Sequence, residues 1–177
     1  MKHLAPLLFL FLFAACSVAD KHDPGVVSTL KADLDEVVEL GAVKPVEGVT
    51  TAGQPDEAAF QVFADNGYVA VIDMRTEGDD RGLDEAAVVQ GLGMDYVQLP
   101  IGGRDSITYE NAQKLKELID MYDEPVLVHC TSGNRVGALF ALNEYRETGD
   151  VDKAIHAGRI AGLTRMEAQV REILDAE

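Results

Sequence analysis

The sequence has no tryptophan, four histidines and two cysteines in 177 residues. The histidines are scattered and show no ligand spacing, which argues against a metal centre. Basic residues are also scarce: 15 Lys and Arg stand against 31 Asp and Glu, a net charge of −16. That balance argues against nucleic acid or an anionic membrane face as a partner, although a local positive cradle remains compatible with it. There is no heptad run and no internal repeat. The one long unbroken apolar run, Leu7–Phe13, is too short to span a bilayer. What remains is a chain of one-domain size with an ordinary apolar fraction and room for a sizeable core.

The apolar run reads as a targeting segment, residues 1–19. Lys2 and His3 precede it, and Ala14, Ala15 and Cys16 follow. Leu12–Cys16 resembles a bacterial lipoprotein box, in which Cys16 becomes the acylated first residue. The rival reading is cleavage after Ser17-Val18-Ala19. Both export the chain to the cell envelope or periplasm, the first with a lipid anchor. Both leave Cys130 alone, as either an inert buried thiol or a reactive one.

Residues 20–45 read as a tether and a spacer helix, with Leu30, Leu34, Val37 and Val38 at helical spacing before Gly41 and Pro45. Residues 46–177 read as one domain. Val49–Ala52 predicts a strand, Gly53-Gln54-Pro55 a turn, and Ala59, Phe60, Val62 and Phe63 the core face of a helix. Tyr68–Ile72 is a buried strand with Asp73 and Arg75 at its end, where they form a structural pair. Thr76–Gly82 is a loop, Leu83–Gln90 a helix and Tyr96–Leu99 a strand stopped by Pro100. Ile101–Ile107, with two glycines, is expected as a mobile loop. Thr108 and Asp150 cap helices, and Thr164-x-x-Glu167 is a capping box for the last one. Strands alternating with helices predict an α/β sandwich with a mainly parallel sheet of about four to five strands flanked by helices. Ligands in such sheets sit beyond the carboxyl ends of the strands. Cys130, Asp73, Arg75 and the Gly102–Asp105 loop all fall there.

The rest of the chain is arranged around Val126–Val136. A short apolar strand leads into His129-Cys130, a tight loop (Thr131, Ser132, Gly133, Asn134), Arg135 and a helix to about Tyr145. The loop turns backbone N–H groups inward, and the helix adds its positive end. Both hold an anion and favour a thiolate. Arg135 adds a planar fork of donors suited to an oxyanion.

His129-Cys130 through Arg135 resembles the active loop of cysteine-dependent phosphatases of the dual-specificity type. With Thr51–Pro55 upstream, it is most similar to a bacterial branch. That branch includes beta-lactamase-hydrolase-like phosphatase domains and those fused to an NAD-kinase-like part. The similarity covers about Val46–Leu174 and leaves no stretch for a kinase domain. It implies a three-layer sandwich, no cofactor and no metal. The substrate would be a phosphorylated small molecule or protein.

The resemblance also implies roles. Cys130 is the nucleophile, Arg135 the oxyanion clamp and Asp105, 25 residues before Cys130, the general acid. Thr131, Ser132, Gly133 and Asn134 line the cradle through backbone N–H groups, and His129 orders the loop. Thr51–Pro55 has no evident chemical role beyond a turn packing under the loop. Two departures keep alternatives open. The loop is one residue shorter than the usual phosphatase loop, and Val136 stands where Ser or Thr is usual. Cys-x-x-Gly-x-Arg is also carried by rhodanese-like sulfurtransferases, which would pass sulfur through a Cys130 persulfide. A silent anion-binding module is the third reading.

Overall fold

The computed structural model describes residues 25–80 and 82–176. Four strands, β1 (Val49–Ala52), β2 (Ala70–Asp73), β3 (Asp95–Gln98) and β4 (Val126–His129), form one parallel sheet in the order β1-β4-β2-β3. The register aligns Ala52, His129, Asp73 and Gln98 at the carboxyl ends. β1, β2 and β4 are buried at every position, which explains why their sequences read as apolar runs rather than alternations. β3 is the exposed edge.

Seven helices cover the two faces: α1 (Leu34–Leu40), α2 (Glu57–Asp65), α3 (Glu85–Gly91), α4 (Tyr109–Ile119), α5 (Asn134–Thr148), α6 (Val151–Ile160) and α7 (Glu167–Leu174). Side-chain alternation along the strands splits the core in two. Val126 and Val128 pack with residues of α4 to α7, while Leu127 packs with residues of α1 to α3. Phe60 and Phe63 are fully buried in the second core, each worth roughly 2 kcal/mol. α5 and α6 meet through glycines. A Cβ on Gly137 would lie 2.1 Å from the Leu163 nitrogen, so no larger residue fits without prying the helices apart.

The sheet, the helices and the caps at Thr108 and Asp150 follow the sequence expectation. Three features differ. From Gly25 onward the expected tether and spacer is built into the domain. Val27, Ala32, Val37 and Val43 are buried in the second core, and residues 30–32 pair alongside β1 through Ala32 N to Thr51 O (2.9 Å) and Thr51 N to Leu30 O (2.6 Å). The capping box at Thr164 does not form. The Thr164 hydroxyl accepts from Asn134 Nδ2 (2.7 Å), Glu167 is taken by Arg159 and Arg171, and α7 starts without a side-chain cap. The loop expected to be mobile contains a 3-10 turn (Arg104–Ser106). It is tied down by the Arg104–Glu172 ion pair, by Gln169 on the Arg104 carbonyl (2.7 Å) and by Asn111 on the Ser106 carbonyl (2.8 Å). Residues 1–19, with Cys16, lie outside the described residues.

Candidate active site

β4 ends at His129, and the chain turns through Cys130–Gly133 into α5. The turn needs Gly133, whose φ of 82° is left-handed and strains any other residue. It aims the Gly133 N–H at Cys130 Sγ, 3.2 Å away. The fifteen-residue α5 starts directly behind, so its positive end and this N–H both lie beside the sulfur. Cys130 is 1 % exposed and forms the floor of the cradle. Val136 is fully buried and belongs to the core rather than the site.

The first turn of α5 carries Arg135 over the loop. Its Nη1 and Nη2 donate to Asp79 Oδ2 (2.9 Å) and Oδ1 (2.7 Å), a two-pronged pair. Nη1 also donates to the Ile101 carbonyl (2.8 Å) and Nη2 to the Thr131 hydroxyl (2.8 Å), which itself donates to Asp79 (2.8 Å). Arg135 is raised above its ordinary pKa, chiefly by Asp79 and further by the Cys130 sulfur within its reach. Asp79 is held far below the ordinary carboxylate range by Arg135, with Thr76 and Thr131 adding hydrogen bonds. It is therefore ionised at neutral pH. Its loop position after β2 was legible; its partner was not.

Beneath the loop lies a buried charge cluster. Asp73 and Arg75 pair as expected, through Arg75 Nε to Asp73 Oδ1 (2.9 Å) and Nη2 to Oδ2 (3.0 Å). Arg75 Nη2 also donates to Glu85, and Tyr96 donates to Asp73 (2.7 Å). His129 Nε2 contacts Glu85 Oε1 at 2.7 Å, so the residue before Cys130 is fixed by a carboxylate the sequence did not single out. Burial alone would raise the Asp73 pKa, but Arg75, His129 and Tyr96 outweigh it and the net direction is down. Donor atoms of Asp73, Glu85 and His129 all lie within 4.8 Å of one another, close enough to hold a cation. The Arg75 guanidinium already bridges both carboxylates and supplies that positive charge.

Thr51–Pro55 now has a structural role. Gln54 N donates to the Thr131 carbonyl (3.2 Å), and its side chain donates to Glu85 (2.9 Å). A Cβ on Gly53 would sit 3.4 Å from the same carbonyl, so the stretch packs closely against the active loop.

The remaining expected residues are placed less evenly. The Asn134 side chain points away from the cradle. It accepts from Thr164 N (2.9 Å) and Met166 N (3.2 Å), stapling the α6–α7 connection to α5. Arg104 is committed to Glu172. Asp105 shares its loop with Ile101, whose carbonyl touches Arg135. Its own carboxylate is exposed and has no hydrogen bond or ion pair among the described residues.

A family model described as DSP-PTPase phosphatase fused to NAD+ kinase matches residues 40–173. The chain belongs to this family. Beta-lactamase hydrolase-like proteins of Agrobacterium fabrum and Xylella fastidiosa are 31% and 36% identical to it over 109 and 102 residues, 59% and 55% of this chain. It spans about a quarter of the length of these relatives, 25% and 23%. The fold is that of a candidate phosphatase from Neisseria meningitidis (TM-score 0.64, 24% identity, 74% of this chain and 94% of that one). The family is one of phosphatase domains of the dual-specificity and tyrosine-phosphatase type.

Proposed function

We propose that this chain hydrolyses phosphomonoesters through a phosphocysteine on Cys130. The observation that carries this reading is the Gly133 N–H on Cys130 Sγ, with the Arg135 guanidinium beside it at the start of α5. Sγ attacks phosphorus, the phosphorus–oxygen bond to the leaving alcohol breaks, and that oxygen takes a proton from Asp105. Water then attacks phosphorus and gives a proton to the Asp105 carboxylate, the phosphorus–sulfur bond breaks with its electron pair returning to Sγ, and phosphate leaves. Backbone N–H groups of Thr131 to Arg135 hold the phosphoryl oxygens.

Arg135 meets Asp79 end-on through both Nη atoms, which leaves its Nε edge to face the phosphoryl group. Asp79 is thus a positioning residue. Its strongly depressed pKa makes it unsuited to donate a proton at neutral pH, and the acid role is given to Asp105, exposed on the loop whose Ile101 carbonyl touches Arg135. His129, fixed by Glu85, orders the loop.

The test is mass spectrometry of acid-quenched protein after mixing with an aryl phosphate. A phosphoryl adduct on Cys130 supports the reading, and rapid phosphate release without any adduct refutes it. We place the enzyme in the cell envelope, exported and lipid-anchored at Cys16. This rests on the Leu7–Phe13 run and the Ala14-Ala15-Cys16 ending. Incorporation of labelled fatty acid that is lost in Cys16→Ser checks the anchor.

A further inference from the structure

The cradle has two cations on its flank that the chemistry above does not use. Lys31 belongs to the segment that pairs alongside β1. Its stem lies across the loop: Cε is 3.1 Å from the point a Cβ on Gly133 would occupy, and Cδ is 3.1 Å from that on Gly162. Nζ is 3.6 Å from the same Gly133 point. With the Gly133 nitrogen 3.2 Å from Sγ, backbone dimensions put Nζ within about 9 Å of the sulfur. Arg165, on the connection between α6 and α7, reaches the neighbouring loop residue, with Nη2 3.5 Å from the Ser132 hydroxyl. Among the described residues neither Lys31 nor Arg165 has a carboxylate partner. Lys44, Arg146 and Lys153 likewise have no carboxylate partner among the described residues, so Lys31 and Arg165 are set apart by their place, against the consecutive cradle residues Gly133 and Ser132.

We infer that Lys31 and Arg165 form a second anion subsite on the Ser132–Gly133 side of the cradle. It selects soluble phosphomonoesters whose alcohol carries a further phosphate or carboxylate. Arg135 and the backbone N–H groups hold the reacting phosphoryl group, while Lys31 and Arg165 hold the second anion. That the bound ester is turned over rests on the phosphatase reading. The subsite itself can be tested without turnover.

The test is calorimetry on the Cys130→Ser protein with inorganic phosphate and with pyrophosphate, a probe carrying two adjacent anionic groups. Pyrophosphate should bind roughly tenfold more tightly than phosphate, the size two partly exposed ion pairs give together, and the advantage should shrink as salt is raised. In the double variant Lys31→Met/Arg165→Met, which keeps most of both stems, the ratio should fall to near one. In Lys31→Arg/Arg165→Lys it should return, so a loss caused by misfolding is recognised. A ratio near one in the Cys130→Ser protein, or a ratio unchanged in the Met pair, overturns the inference. The native enzyme then compares phenyl phosphate with 2-carboxyphenyl phosphate. Tight pyrophosphate binding with no Cys130-dependent release from either ester would retain the subsite and refute the phosphatase reading.

Discussion

Asp79 grips the Arg135 guanidinium with both carboxylate oxygens, at 2.7 and 2.9 Å, across 56 residues of sequence. The pair fixes the orientation of the group proposed to meet the substrate oxyanion. Asp79→Ala should therefore lower kcat/KM by about tenfold to a hundredfold, the worth of a charge-assisted hydrogen-bonded pair, with Asp79→Asn between it and native. A rise in kcat/KM would instead mean that Asp79 competes with the substrate for Arg135.

The pH dependence follows from the same pair. The Asp79 pKa is lowered from its ordinary 3.8, so its stabilising contribution is complete above that value and is lost only as pH falls below it. Asp79 does not titrate between pH 5 and 8 on that account. Any limb of the activity profile in that range belongs to other groups. Asp79→Asn should leave the midpoints unmoved while reducing the plateau, and a midpoint shift contradicts the assignment.

Asp105→Asn should reduce phosphate release by roughly a hundredfold, as expected for loss of a general acid. 4-Nitrophenyl phosphate, whose leaving group needs little protonation, should lose far less than phenyl phosphate. Equal loss on both esters would assign Asp105 a structural role.

The buried cluster makes a stability prediction. Glu85→Ala leaves Arg75 and His129 without a shared carboxylate, a change that costs about 3 to 5 kcal/mol when one partner of a buried pair is removed. Urea unfolding measures it. Gly137→Ala, with its Cβ driven to 2.1 Å from the Leu163 nitrogen, should destabilise by about 3 kcal/mol and lower Tm by roughly 10 °C. A Tm within experimental scatter of native would contradict the close α5–α6 packing.

The sequence carries most of the fold because its signals are local. The Val126–Val128 run, the Thr108 and Asp150 caps and the glycine before α5 each state their conformation within a few residues. The site is legible where the loop itself bears the chemistry, at Cys130, Gly133 and Arg135. It is illegible where partners meet only on folding. Asp79 looks like its neighbour Asp80, and Glu85 looks like an acidic first-turn residue of α3. Yet Glu85 is the residue that holds His129, 44 positions away. Thr164 shows the opposite failure. Its capping-box pattern is locally correct, but Asn134 claims the hydroxyl first. The segment before β1 reads only as a tether and a spacer or edge helix for a similar reason, since its apolar residues are too few to declare a core that the rest of the domain completes.

The most direct measurement pairs two assays on the form starting at Asp20, in native protein and in Cys130→Ser. One follows phosphate release from an aryl phosphate, the other thiocyanate formation from thiosulfate and cyanide. Phosphate release that disappears in Cys130→Ser, without thiocyanate from either protein, is the predicted result. Cys130-dependent thiocyanate with no phosphate release would contradict it and show that the six-residue loop from Cys130 to Arg135 carries sulfur rather than phosphate.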